Sequence, residues 1–421
     1  MELIKRTKIS LRNNFHYLAK GGFWLTLSQF IGLSSSLSLS VVMANILTPE
    51  TFGQYKYLVS IFAIVAAISL HGIKLPVSLE TARGNHYILQ KGFQYSVLWN
   101  LGILFSSSAA SIYYYFAGNN LLALGCASIA IVAPIYYALQ LAGLYMQGIA
   151  AYKTMTLYSA SQSIASSLSV GITAYVSNNP LYIFLAFILS QTIISIPVFI
   201  HTLRKIPRQD PDPLVVREAL LFGIRLTIIG SLIKIAAELD KIIVFQLLGA
   251  AQLAAYTFAL AIPRQLVATK GTLEILALPK FSNHSFRSLR QGMLPKIIVS
   301  FFFSFGVIAA YWISAPFIYK YLFPRYLDSV IYSQYLSLTI LIIPVSFLRQ
   351  ALVMNHHERE VYVIDVCEPI VRIGLYLILI PLFQIFGAIY ALIITTVLQI
   401  TYYLLIFFTD FSFRKNFKKV L

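Results

Sequence analysis

Residues 222–256 read FGIRLTIIGSLIKIAAELDKIIVFQLLGAAQLAAY, an apolar run that carries Arg225, Lys234, Glu238, Asp240 and Lys241. A charge placed in a bilayer is costly, so such groups face a protein interior or a wet cavity. On a helix, Lys234, Glu238 and Lys241 share one face, because positions four and seven residues on return to the same side. Arg225 points the opposite way and sits near one end, and Asp240 lies off the stripe.

A second charged helix begins at VYVIDVCEPIVRIGLY, residues 361–376. Asp365, Glu368 and Arg372 recur on one face, and Glu368 precedes Arg372 by four residues, the better order for an ion pair. Pro369 frees backbone groups that need a polar place. Two readings stay open here: a self-neutralised structural pair, or a cavity face with a titratable carboxylate. Arg264 follows Pro263 in a further apolar stretch. It does not lose its proton, so it needs an anion, either Glu238 or Asp240 or a substrate phosphate. Asp365, Glu368, Glu238 and Asp240 are the candidates for coupling to a proton or sodium gradient. Arg349 lies within one turn of a helix end, where snorkelling accounts for it.

The elements that must position these groups are membrane helices. The chain has 421 residues, 58% of them hydrophobic and only 11% charged. Soluble domains carry about 25% charged residues. Apolar stretches fall at 21–46, 54–74, 93–117, 121–146, 155–177, 180–203, 221–248, 252–272, 296–318, 329–352, 361–385 and 387–409. Each is the length of a spanning helix and too long for a porin strand. The expected fold is all-α and polytopic, with about twelve transmembrane helices.

The net charge of +17 sits in short loops, so the positive-inside rule explains it and nucleic acid is not implied. Of the 32 Lys and Arg, 23 fall on one set of loops and tails, three on the other and six within spans. This split predicts cytoplasmic termini. Lys5, Arg6, Lys8, Arg12 and Lys20 precede the first span, either as a basic amphipathic surface helix or as a basic tail. No cleavable signal is visible.

The chain contains a repeat. Shifted by 201 residues, Gly22, Leu25, Thr26, Leu47 and Tyr55 fall on Gly223, Leu226, Thr227, Leu248 and Tyr256. Two pseudo-symmetric lobes of six helices follow, 1–203 and 218–421, joined by the Pro-rich and charged linker 204–217. Within its spans the first lobe has essentially no charge. Its first helix is instead rich in serine (Ser34, Ser35, Ser36, Ser38, Ser40), which serves either close helix packing or cavity lining.

Enzyme signals are weak. The D-x-D at Asp210–Asp212 resembles that of sugar-nucleotide transferases but has no αβ domain around it. His356-His357-Glu358 fits a solvated loop better than a metal site. Cys126 and Cys367 form no disulfide or metal pattern. No P-loop and no nucleophile elbow is present, and no cofactor is implied.

KGGFWLTLSQF at 20–30 and ANILTPETFGQYKYL at 44–58 resemble the opening of the polysaccharide-export flippases, including the O-antigen (Wzx-type) flippases of the multidrug/oligosaccharidyl-lipid/polysaccharide (MOP) superfamily. Leu47, Pro49, Glu50, Gly53 and Tyr55 carry the pattern. Asp240-Lys241, Leu248-Gly249, Tyr256, the run 71–84 and Phe323–Tyr326 extend it. The resemblance implies two six-helix bundles around a central cavity of alternating access, in the bacterial cytoplasmic (inner) membrane. The implied cargo is a polyprenyl-pyrophosphate-linked oligosaccharide, with membrane lipids and other polysaccharide-assembly membrane proteins as partners. Lys234, Arg264 and Arg372, with Lys241 and Arg225, would supply the cations for the pyrophosphate. Two rivals remain, a membrane O-antigen polymerase or ligase and a multidrug exporter of the same superfamily.

Overall fold

The computed structural model describes the backbone of residues 2–207, 210–282, 286–354 and 358–408, and the side chains of 21–207, 210–271, 292–353 and 359–408. Every described element is a helix. In order they are α1 (Glu2–Ile46), α2 (Pro49–Val65), α3 (Lys74–Ala82), α4 (Ile88–Trp99), α5 (Leu101–Phe116), α6 (Asn120–Leu139), α7 (Leu141–Gly148) and α8 (Tyr152–Val176). There follow α9 (Pro180–Arg204), α10 (Pro213–Leu248), α11 (Ala250–Ser282), α12 (Phe286–Leu322), α13 (Ser329–Leu336), α14 (Ile343–Met354), α15 (Glu358–Phe383) and α16 (Ile385–Phe408).

The expected spans are wholly or mainly helical, although the one at 54–74 leaves its helix after Val65 for turns and a short 3-10 helix at His71–Ile73. Seven segments are long and apolar enough to cross a membrane by length and composition. The other five expected spans depart from a plain apolar helix in identifiable ways. Helix α2 has only 17 residues. The span at 93–117 is divided between α4 and α5 at Asn100. Helix α8 is rich in Ser and Thr, α11 carries Gln252, Arg264 and Gln265, and α15 carries Asp365, Glu368 and Arg372. The backbone of the basic N-terminal stretch continues the first span as one helix of 45 residues. The His356-His357-Glu358 motif lies outside the residues described with side chains. Asp212 serves α10: its carboxylate accepts from the Leu214 amide at 2.8 Å, a capping role that accounts for the D-x-D.

The helices pack into two compact units whose bounds differ from those of the sequence repeat. The first comprises residues 1–39 and 65–231, the second residues 40–64 and 232–421. Helices α1 and α10 each contribute to both.

In the first unit, α1 and α8 pack through small polar residues. Ser28 and Ser159 share a hydrogen bond of 2.5 Å, and the Thr156 hydroxyl donates to the Trp24 carbonyl at 2.8 Å. Ser167 donates to the Ser35 carbonyl at 3.3 Å. These serines therefore serve helix packing. Asn100 explains how the α4–α5 break is tolerated. It donates to the Pro134 carbonyl of α6 and accepts from the Leu70 amide, at 2.9 and 3.2 Å, so the buried side chain at the break is itself paired and ties the break to neighbouring elements. Gly72 lies against the backbone of α10, where a Cβ would overlap the Gly223 carbonyl. Its amide donates to the Thr227 hydroxyl at 3.0 Å. The core here gathers Leu70, Ile73, Val77, Leu141 and Phe199.

In the second unit, α2 packs on the α10–α11 turn. Gly249 at this turn has φ +89°, a conformation open to glycine at no steric cost. A Cβ on Gly53 would overlap the Ala250 carbonyl. Phe52 stacks on Phe258 with centroids 4.3 Å apart, and Tyr57 on Phe245 at 3.9 Å. The Arg325 guanidinium donates to the Leu47 carbonyl at 3.0 Å, and the Asn45 amide donates to the Leu322 carbonyl at 3.1 Å. Val345, Leu348, Leu352, Val361 and Phe407 form the core farther along.

Candidate functional site

The second unit holds most of the charged residues singled out above, and helix periodicity places them. On α10, Glu238 and Lys241 are three residues apart and meet at 2.8 Å. The other carboxylate oxygen of Glu238 faces Arg264 of α11 at 3.3 Å. Glu238 thus bridges two cations with its two oxygens. Lys241 is 5% exposed, so its charge is compensated almost entirely by protein groups.

Asp240 joins this cluster, although its position on the helical wheel sets it off the Lys234–Glu238–Lys241 stripe. Its Oδ1 lies 3.3 Å from the Lys241 ammonium, which bends back along the helix, and also accepts from the Lys241 amide at 2.8 Å. Its Oδ2 accepts from the Tyr256 hydroxyl at 2.7 Å. The wheel gives the direction of the Cα–Cβ bond alone, and a lysine chain is long enough to fold toward a neighbour.

Helix α15 runs through Pro369 without a break in its helical assignment. Its three charges do not act as one face. Glu368 pairs with Arg372, whose Nε donates to Oε1 at 2.6 Å. Asp365 instead accepts from Arg349 of α14 at 2.8 Å. Arg349 is therefore an ion-pair partner, where its place near a helix end had suggested snorkelling. Tyr376, buried one turn beyond Arg372, interacts electrostatically with Asp240, Glu368, Arg264 and Arg372.

Some of these groups line a cavity of about 310 Å³: Lys241, Arg264 and Arg372, joined by Lys270, with Asp240 as its acid and Thr339, Thr395, Thr396 and Gln399 as polar wall, whereas Glu238, Asp365 and Glu368 are not among its lining residues. Leu260, Val267, Ile342 and Leu392 complete it. Among the described residues Lys234 does not line this cavity. It is half-buried on α10. Arg225 is exposed and belongs to the first unit.

The pattern missed two cations. Lys270 counts with the basic loops yet lines the cavity. The first half of the chain is read as holding essentially no charge within its spans, and Lys56 counts with the three cations of the sparsely charged loops. The residue lies on α2 with its ammonium 5.3 Å from the Phe52 ring and 5.5 Å from the Tyr55 ring. It also interacts electrostatically with Arg264, Lys241 and Glu238. The four-residue spacing of Phe52 and Lys56 was a legible signal, because it stacks an aromatic and a cation on one helical face. Tyr256 and Tyr376 were missed as partners of charge, since a lone tyrosine in an apolar run carries no positional signal.

Chemically, the arrangement is a cluster of cations and carboxylates. Lys241, Arg264 and Arg372, on α10, α11 and α15, are held by ion pairs, and Lys56 of α2 by two aromatic rings. None of the pairs forms a nucleophile–base array.

Solved structures share this architecture at low sequence identity. A multidrug-resistance MATE family transporter of the MOP superfamily, in an outward-facing conformation, aligns over 94% of this chain and 97% of its own, with TM-score 0.58 and 14% identity. The lipid II flippase MurJ, in an inward closed conformation, aligns over 90% and 86%, with TM-score 0.69 and 11% identity. The eukaryotic MATE transporter AtDTX14 aligns over 97% and 100%, with TM-score 0.57 and 15% identity. At such identities the likeness is one of fold. Comparison with curated protein sequences gives no match. The sequence itself matches the family described as polysaccharide biosynthesis protein over residues 18–269. That match covers more than half of a chain already seen to have the transporter fold and the polysaccharide-export signature; the chain belongs to the polysaccharide biosynthesis protein family.

Proposed function

We propose that the protein is a flippase that moves polyprenyl-pyrophosphate-linked oligosaccharide units across the bacterial cytoplasmic membrane, from the inner to the outer leaflet, by alternating access. The observation that carries this reading is the cavity lined by Lys241, Arg264, Lys270 and Arg372 in an otherwise apolar, all-helical chain. A diphosphate needs fixed cations, and guanidinium groups bind it in bidentate fashion. The polar wall of Thr339, Thr396 and Gln399 suits sugar hydroxyls, and the prenyl tail can stay in lipid. The family membership and the MurJ likeness support a lipid-linked cargo. In this reading the repeat halves 1–203 and 218–421 are the moving bodies, Lys234 and Arg225 attract the cargo anion, and a proton or sodium gradient acts through Asp365, Glu368, Glu238 or Asp240.

The test is glycan analysis of a deletion strain. Loss of a flippase traps single lipid-linked repeat units inside the cell. Loss of a polymerase leaves one unit on the surface, and loss of a drug exporter leaves the glycan intact. Complementation by Arg264→Ala should fail to restore surface glycan at normal membrane abundance, whereas Arg264→Lys should restore part of it. Normal export by Arg264→Ala and Lys241→Ala would exclude the cationic site.

A further inference from the structure

Of the three acids in the cluster, two are fixed by hydrogen bonds or pairing within or next to their own helix. Asp240 accepts from the Tyr256 hydroxyl and from the Lys241 amide. Glu368 is gripped by Arg372 one turn on, through both Nε and a terminal nitrogen. Asp240 also pairs with the Lys241 ammonium at 3.3 Å, so both it and Glu238 bridge α10 and α11. Glu238 differs in its second partner: its two oxygens are divided between Lys241 at 2.8 Å and the Arg264 guanidinium at 3.3 Å. The Arg264 side chain is 57% exposed, against 6% for Lys241. Lys56 adds a third positive charge nearby. The longer contact is thus made to the more open cation, and that cation lines the cavity.

We infer that Glu238 is a resident counter-ion: it occupies the Arg264 guanidinium while the cavity is empty, and the cargo's diphosphate displaces it. This rests on the proposed anion-carrying role of the site. Without such a counter-ion the same cations would hold a diphosphate more firmly. A tethered carboxylate competes for the guanidinium, which weakens the bound state, and reclaims it on departure. Glu238 is suited to this role since its shorter contact, to Lys241, stays within α10 and survives when the Arg264 contact opens.

The test uses the full-length protein in detergent, with inorganic pyrophosphate and undecaprenyl pyrophosphate as separate probes. Glu238→Gln and Glu238→Ala both remove the competing charge. Each should bind pyrophosphate at least about tenfold more tightly, equivalent to ~1.4 kcal/mol, while export in the cell falls. A purely structural acid would give the opposite, weaker binding with a lowered melting temperature. Glu238→Asp should bind like the natural protein. If both neutral variants bind pyrophosphate no more tightly while Arg264→Ala weakens binding, the counter-ion role is overturned and the anion site stands. If the natural protein binds neither probe, both fall. Tightening seen with inorganic pyrophosphate alone assigns the effect to free diphosphate in place of the lipid-linked form and overturns displacement by the cargo.

Discussion

Glu368 and Arg372 show why a charged residue in a membrane helix is not free to be changed alone. Glu368 is 7% exposed and its partner is on the same helix. Removing one member of a buried pair leaves an uncompensated charge, which costs about 3–5 kcal/mol. Replacing both members is far less damaging, because no lone charge remains. Arg372→Ala should therefore lower the melting temperature of the purified protein sharply. The double variant Glu368→Gln/Arg372→Gln should recover most of that loss. Equal melting temperatures for the single and double variants would show that the pair is not what holds this part of α15. The Arg349–Asp365 pair is more open, at 32% and 24% exposure. Its disruption should be milder, since fewer protein groups enclose a charge left unpaired there.

At the scale of elements, glycine decides how closely α2 approaches the α10–α11 turn. A Cβ on Gly53 has no room against the Ala250 backbone, and backbone gives way less readily than a side chain tip. Gly53→Ala should displace α2 and cost about 1–3 kcal/mol, the usual range for overpacking. Melting of the purified variant reads this directly, and an unchanged transition would mean that α2 shifts freely. Arg325→Ala should add a smaller loss, because it removes a charged donor from the Leu47 carbonyl. These contacts bear on what the sequence could reveal. The pattern Leu47, Gly53, Tyr55 and Phe323–Tyr326 marked both segments as a family signature. Helix existence was legible because twelve apolar runs have a membrane's length. The pairing of Leu47 with Arg325 was not, since periodicity describes one helix at a time. The same limit explains the site. The Glu368–Arg372 pair within α15 followed from spacing, whereas Arg349–Asp365 joins different helices and needed tertiary structure, and Glu238 was one of three alternatives for Arg264 that only tertiary structure separates.

At the scale of the molecule, the open question is how the chain is threaded through the membrane. The Lys and Arg count gives 23 positive residues on one set of loops and three on the other. The positive set is retained in the cytoplasm because short basic loops are not translocated. We propose on this ground that both termini lie inside, which requires an even number of crossings. Seven helices meet strict length and composition criteria, an odd number that would put the termini on opposite sides. The twelve-helix threading reaches an even number by having the remaining five expected spans cross as well. The Ser-rich α8 and the charged α11 and α15 do so by turning polar faces to neighbouring helices. Helix α2 is only 17 residues long, the lower limit for a span, and extends into the turns that follow it. Reporter fusions test this arrangement loop by loop. Fusions at Gln209, His284 and Asn416 should report cytoplasm, and fusions at Asn119, Asn178 and Leu327 should report the periplasm. The Asn178 fusion is the most telling, since it follows α8. A cytoplasmic signal there would mean that α8 does not cross, and the twelve-helix threading would fail with it.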